Sequence, residues 1–164
     1  MSVYPPVLTP RDVWEYARRE LTRYAKVYVL FEGFRYSDYT RYVSASSVDT
    51  AVGWFYLPLT YYVYGVYIPK TALGLTKLYA VVNYKLTCQA GGTASIYIET
   101  DAGYVVLDEV VNPPSLVIRE YSGLVDLTSI LDDSVLDVVA ELAGDGTNAS
   151  SVELYHTIIF GVSE

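Results

Sequence analysis

The sequence predicts a mainly β protein: a jelly-roll-like antiparallel β-sandwich preceded by an extended N-terminal arm and one short α-helix. Three observations lead there. From Lys26 onward apolar residues recur with a period of two rather than 3.6. About eight to eleven such short stretches are separated by turn residues at spacings of roughly 8–12 positions, the rhythm of two-sheet sandwiches. With 164 residues, 52% of them hydrophobic and 18% charged, the chain can fill one packed core but not two, and it is too apolar for disorder. Two segments follow, an arm and helix over 1–25 and a sandwich over 26–164.

The opening stretch SVYPPVLTP carries consecutive prolines, which hold the backbone extended and exclude a helix. It reads as an arm whose Val3, Tyr4, Val7 and Leu8 need cover. Thr9-Pro10-Arg11-Asp12 is a helix start, with a threonine N-cap, a proline at the first helical position and an early acid. Val13, Ala17, Leu21 and Tyr24 then recur at spacings of three and four, with Trp14 beside them and Arg18, Arg19 and Arg23 elsewhere, so the helix spans about 10–25.

Beyond Lys26 the stretches YVLFEGF, TRYVSAS and the aromatic run that follows supply two to four strands. The clearest strand is 77–88, with Leu78, Ala80, Val82, Tyr84, Leu86 and Cys88 on one face. Gly91-Gly92 turns it into TASIYIET, whose Ala94, Ile96 and Ile98 point inward, and Asp101-Ala102-Gly103 turns again into YVVLDEVV, so three strands form a meander. Pro113-Pro114 ends it. SLVIREY and GLVDLT read as two further strands, TSILDD as one helical turn, and the LDVVAEL run and terminal VELYHTIIFGV as a last hairpin closed by Gly144-Asp145-Gly146-Thr147-Asn148.

Charge narrows the partners. The net charge of −8 argues against nucleic acid, whose phosphates need a basic surface, so none is expected as a partner. Residues 1–41 hold seven basic and five acidic side chains, a net of +2, which leaves −10 for residues 42–164. One end of a molecule thus attracts the rest of another copy. No apolar run reaches the roughly 18 residues of a membrane helix. The start lacks the basic and apolar regions of a secretory signal, and the retained Met1 favours there having been none. One glutamine, three asparagines and one methionine are few thermolabile side chains, in keeping with a hot habitat.

Chemistry is sparse. Cys88 is the only cysteine and lies in an alternating strand, so a buried inert thiol is expected. His156 is the only histidine and shares its strand face with Leu154 and Ile158, which favours a packed or half-buried ring over a catalytic one. One histidine and one cysteine cannot assemble an ordinary zinc site, and no Gly-x-Ser-x-Gly, P-loop or dinucleotide fingerprint is present. Asp108-Glu109 point to opposite faces of a strand, and Asp132-Asp133 suit a turn cap, so neither makes a glycosidase pair. No catalytic residue, metal or cofactor is implied. Calcium has two oxygen-rich loops to choose from, at Asp132-Asp133 and at 145–148, although neither fits the twelve-residue loop pattern. Asn148-Ala149-Ser150 is a glycosylation sequon, meaningful on an exported chain.

The densest signal is WFYLPLTYYVYGVY at 54–67, where seven of fourteen residues are aromatic. In a period of two, Tyr62 and Tyr64 share one side and Tyr61 and Tyr67 the other, so a ring is exposed whichever side is buried. Three readings fit. Sandwich strands would bury one face; Trp54, Tyr56 and Tyr62 would stack on sugar; or neighbouring copies would cover the rings, since aromatics concentrate in interface centres. A ring burying ~150 Å² at ~25 cal/mol per Å² contributes about 3–4 kcal/mol before ordering costs.

The helix segment Asp12-Val13-Trp14-Glu15-Tyr16-Ala17-Arg18-Arg19-Glu20-Leu21-Thr22 resembles a segment of virion and tail-fibre structural proteins of phages and archaeal viruses, typically Val-Trp, Tyr-Ala, Arg, Leu-Thr; Arg18 and Glu20 depart from it. The resemblance implies a non-enzymatic, self-assembling subunit of a capsid, tail fibre or filament. Its contacts with further copies, or with other proteins of the particle, would use Val3, Tyr4, Val7, Leu8, Trp14, Arg18, Tyr61, Tyr62, Tyr64 and Tyr67. The alternative is a carbohydrate-binding module that reads a receptor.

Overall fold

The computed structural model describes residues 25–33, 41–55 and 65–164, and the side chains of 41–43 are not among them. The predicted arm, the helix over 10–25 and residues Val3, Tyr4, Val7, Leu8, Trp14, Arg18, Tyr56, Tyr61, Tyr62 and Tyr64 lie outside the described residues. Ten strands follow in order: β1 Lys26–Gly33, β2 Arg41–Ala45, β3 Ala51–Phe55, β4 Val66–Tyr67, β5 Lys77–Cys88, β6 Thr93–Thr100, β7 Gly103–Val111, β8 Val117–Asp126, β9 Val135–Ala143 and β10 Ser150–Ser163. A single helical turn, α1 Lys70–Leu73, precedes β5, and a 3-10 turn at Thr128–Ile130 follows β8.

The strands pair as a nest: β1 with β10, β3 with β9, β5 with β8, β6 with β7, all antiparallel. A chain doubled back on itself in this way and then wrapped is a jelly roll. Two further ladders, β10–β5 and β9–β6, stitch the pairs into sheets. The first sheet runs β1-β10-β5-β8 with β2 also on β10; the second runs β3-β9-β6-β7 with β4 also on β9.

Alternation decides what lies between the sheets. Leu78, Ala80, Val82, Tyr84, Leu86 and Cys88 of β5 are all buried and face Ala94, Ile96 and Ile98 of β6 and Leu136, Val138, Ala140 and Leu142 of β9. Each inward position on β5 and β6 agrees with the sequence pattern. Tyr84 spans the core, with its hydroxyl 3.4 Å from the Leu107 carbonyl it donates to and its ring stacked on Tyr121 at 5.5 Å. Burial, then the charge of Asp108, pushes its pKa up to about 12. At the open side of the sandwich Arg119 of β8 reaches across to Asp108 of β7 at 2.6 Å. Asp133 accepts from the Thr71 amide at 2.9 Å, tying α1 to the connection before β9, so this carboxylate caps a helix as its turn position suggested.

Four expectations need correction. β5, β6 and β7 are not a meander: β5 lies in the first sheet and β6 in the second, so Gly91-Gly92 turns a crossover, and only β6 and β7 form a hairpin. β9 and β10 likewise belong to different sheets, and the Gly144–Asn148 loop is a crossover between them. SLVIREY and GLVDLT are one strand, β8, because Gly123 is no turn: a Cβ there would come within 2.6 Å of the Tyr121 hydroxyl, whose ring lies across it. Finally, a bulge in β10 between Leu154 and Thr157 shifts the alternation. Leu154 faces Tyr84 inside while Ile158 pairs with outward Val81, so His156 cannot share a face with both.

Candidate subunit interface

The side chains that make a surface here come from the outward positions of the second sheet, which the register aligns in rows. Trp54 of β3, Val139 of β9, Tyr97 of β6 and Val106 of β7 form one row across all four strands. On one side of it lie Val52, Glu141, Ser95 and Glu109, and on the other Asp137, Glu99 and Tyr104. An aromatic stripe thus runs between two rows of carboxylates. Strict alternation in β6 and β9, and in β7 on either side of a bulge at Leu107, forces this, because their other face is spent on the core. Trp54 and Val106, at the two ends of the row, are 45% and 49% exposed, Tyr97 is half-buried and Val139 fully buried, while Tyr104 beside the row and Tyr67 on β4 are 67% and 59% exposed, so the stripe is open at its ends.

The face is acidic throughout. Glu99, Glu109, Glu141 and Asp137 carry four negative charges, and no lysine or arginine occupies an outward position of this sheet among the described residues. The Tyr97 hydroxyl donates to Glu141 Oε1 at 3.4 Å, and its ring meets Tyr104 edge-on at 6.0 Å. Burial first, then the charges of Glu141 and Glu99, push the Tyr97 pKa up to about 12. Burial and then Glu99 also raise the Asp137 carboxyl, whose Oδ1 is out of solvent with no hydrogen-bond partner among the described residues. A shallow depression of about 370 Å³ lies beside Tyr97 and Tyr104, bordered by Glu99, Glu109 and Glu141. Such a surface suits a cationic or hydroxyl-rich partner with a flat apolar side.

The first sheet differs. Phe160 and Val162 point outward on β10, opposite Tyr79 and Lys77, and yet both are buried. Phe160 stacks on Tyr79 at 5.4 Å. The exposed apolar positions of this sheet lie at its two borders: Val29 on β1, opposite Phe160 and 52% exposed, and Ile118 and Leu124 on β8, which point out and are 55% and 58% exposed.

Of the predicted interface residues, Tyr67 is described and is exposed, next to Val66, which packs inward; that division of neighbours is what a period of two requires. Trp54, from the sugar reading, is at one open end of the stripe. Asn148 is exposed, and its Nδ2, the atom a glycan would join, donates to Asp145 Oδ2 at 2.9 Å within a turn that Asp145 also caps through the amides of Thr147 and Asn148. In the Asp132-Asp133 loop the carboxylates accept from backbone amides, and no group of three or more His, Cys, Asp or Glu side chains is gathered in one place among the described residues. His156 Nε2 sits 4.0 Å from Glu32 Oε1. Cys88 is buried, and burial raises its thiol pKa. Glu99, Glu141, Tyr97 and Tyr104 were missed by sequence reasoning, although the alternation that places Ile96 and Ile98 inside also places Tyr97 and Glu99 outside.

No protein-family model matches the chain. No curated protein matches it either. Solved structures with a similar course include infectious bursal disease virus Gt strain, with a TM-score of 0.42, 8% identity and 84% of this chain aligned. The infectious bursal disease virus VP2 subviral particle aligns with a TM-score of 0.38 and 6% identity over 84% of this chain. Dimeric latent PorU from Porphyromonas gingivalis aligns with a TM-score of 0.37 and 13% identity over 86%. The chain spans 32% and 33% of the two viral chains and 13% of the bacterial one.

Proposed function

We propose that the chain is a non-enzymatic, self-assembling structural subunit of a virus particle or of an extracellular tube or filament. One observation carries the reading: on the outward face of the second sheet Trp54, Val106 and Tyr104 stand exposed among four carboxylates, and no basic side chain at an outward position of this sheet among the described residues offsets them. A lone copy leaves those three side chains wet. The chain's own cations complement it, because Arg11, Arg18, Arg19, Arg23, Lys26, Arg35 and Arg41 all fall in the first 41 residues. The basic segment of one copy meets the acidic face of the next, and the proline-bearing arm lies across the neighbour or adds a strand to it. The placement in a virion rests on the resemblance of residues 12–22. No nucleic acid enters the contact, in keeping with the charge.

The test is the mass of the purified protein as a function of concentration and salt. Assembly through opposite charges should weaken as sodium chloride rises from about 0.05 to 0.5 M. Glu99→Gln with Glu141→Gln should weaken it at low salt. Deleting residues 1–9 should leave a folded sandwich that no longer assembles, and normal particles from the truncated chain would refute the role of the arm.

A second reading is favoured by Trp54 and Tyr104 standing open on the face that also carries Glu99 and Glu109: rings stack on pyranose faces while carboxylates accept from hydroxyls. In that case the chain is a carbohydrate-binding module. Glycan arrays read with Trp54→Ala and Tyr104→Ala separate the two, because a purely structural subunit retains no sugar.

A further inference from the structure

We infer that two copies join edge to edge through β8, antiparallel about a two-fold axis at Tyr121, so that the first sheets of both copies become one. The inference rests on the self-assembly reading and names the partner and the register. A strand at the end of a sheet presents unpaired amide and carbonyl groups, and proteins that stay apart blunt such edges with bulges, interruptions or short strands. The other sheet ends of this molecule are blunted in those ways. The β1 side is divided between β1 and β2 and bulged between Val29 and Phe31, the β3 side is divided between five-residue β3 and two-residue β4, and β7 is bulged at Leu107. β8 alone among the described ends is long and regular. Its ten residues pair with β5 without a register shift, and no strand lies on its other side among the described residues.

The sequence of β8 is complementary to itself in one register. Even-numbered positions from Ile118 to Asp126 point outward, and odd-numbered positions point toward the second sheet. With Tyr121 opposite Tyr121, Ile118 faces Leu124, Glu120 faces Ser122, Val117 faces Val125, and Arg119 faces Gly123, over which the Tyr121 ring lies. Both exposed aliphatic side chains of the outward face are then paired with each other, twice over. Moving the register by one pleat sets Glu120 against Glu120; moving it the other way sets Ile118 against Asp126 and Glu120 against Leu124. Like charges or an apolar–charged pair directly opposite are unfavourable, so neither alternative competes. The chosen register also supplies about eight to ten main-chain hydrogen bonds.

The test measures self-association of the full-length protein by sedimentation velocity, with single variants Ile118→Glu and Leu124→Lys and the double variant carrying both. Each single variant places a charge against an apolar group at two symmetric positions and should raise the dissociation constant of the edge contact about tenfold or more. The double variant sets a carboxylate against an ammonium at both positions and should recover the association. Tyr121→Cys in a Cys88→Ala background should form a disulfide-linked dimer under mild oxidation, while Glu120→Cys in the same background should not. Both aliphatic positions are more than half exposed, so the variants should retain the far-ultraviolet circular dichroism of the parent. If the parent associates and the single variants associate equally well, the β8 contact is wrong and the assembly reading stands. A parent that remains at 18.3 kDa at all concentrations overturns both.

Discussion

Thr157→Val should make the protein more stable. Thr157 is fully buried on the inward side of β10, between Val82 of β5 and Gly33 of β1, and its Oγ1 has no hydrogen-bond partner among the described residues. A hydroxyl withdrawn from water without a partner costs about 1–3 kcal/mol, whereas a methyl at the same place contributes about 0.8 kcal/mol by burial. Ordinarily threonine and valine are poor substitutes because the hydroxyl is bonded; here it is not. Allowing for local relaxation, the expected gain is about 1–2 kcal/mol, a rise in melting temperature of about 2–8 °C for a chain of this size. Urea unfolding followed by circular dichroism measures it, with Thr157→Ser as the control. Serine keeps the unpaired hydroxyl and loses the methyl, and should be less stable than the parent. A valine variant less stable than the parent would show that the hydroxyl is satisfied and that the inward side of β10 is described wrongly.

Gly144→Ala should destabilise by about 1–3 kcal/mol, because a Cβ would lie 2.4 Å from the Asn148 carbonyl oxygen and 2.6 Å from that of Ser46, both backbone atoms that cannot swing away; chemical denaturation reads the loss. Asp137→Asn should raise the melting temperature at pH 7, since the raised pKa of Asp137 means that its charged form opposes folding; the gain should vanish as the pH falls below that pKa and the parent carboxyl becomes neutral. Asp126, Asp133 and Asp145 have the opposite sign. Hydrogen bonds from Thr128, Thr71 and Asn148 hold their pKa values below the ordinary 3.8, so the stability they contribute is present above about pH 4 and lost as the pH drops through 3.8 and below, which an acid titration of the melting temperature checks. Cys88 should resist a thiol reagent in the native protein and react once, fully, in guanidinium.

The interior was legible because it is one sustained alternation. Each inward residue of β5 and β6 follows from counting by twos from Leu78 and Ala94. Pairing was not legible, since a strand's own pattern fixes its faces and not its neighbour: Gly91-Gly92 and Gly144-Asp145 look the same whether they close a hairpin or carry the chain to the other sheet. Bulges are equally silent, and the one before Thr157 inverts the faces of the last strand. Gly123 misled for a physical reason, as glycine marks turns and also makes room for a ring. The aromatic stripe went unnoticed because its row is assembled across four strands from Trp54, Val139, Tyr97 and Val106, far apart in sequence.

Everything proposed about function depends on copies covering one another's exposed rings and open strand edge. Sedimentation velocity across a hundredfold range of protein concentration at low and high salt measures this most directly. The expected result is species that grow with concentration and shrink toward 18.3 kDa as salt is added. A single 18.3 kDa species under every condition, with Trp54 fluorescence unchanged throughout, would contradict it.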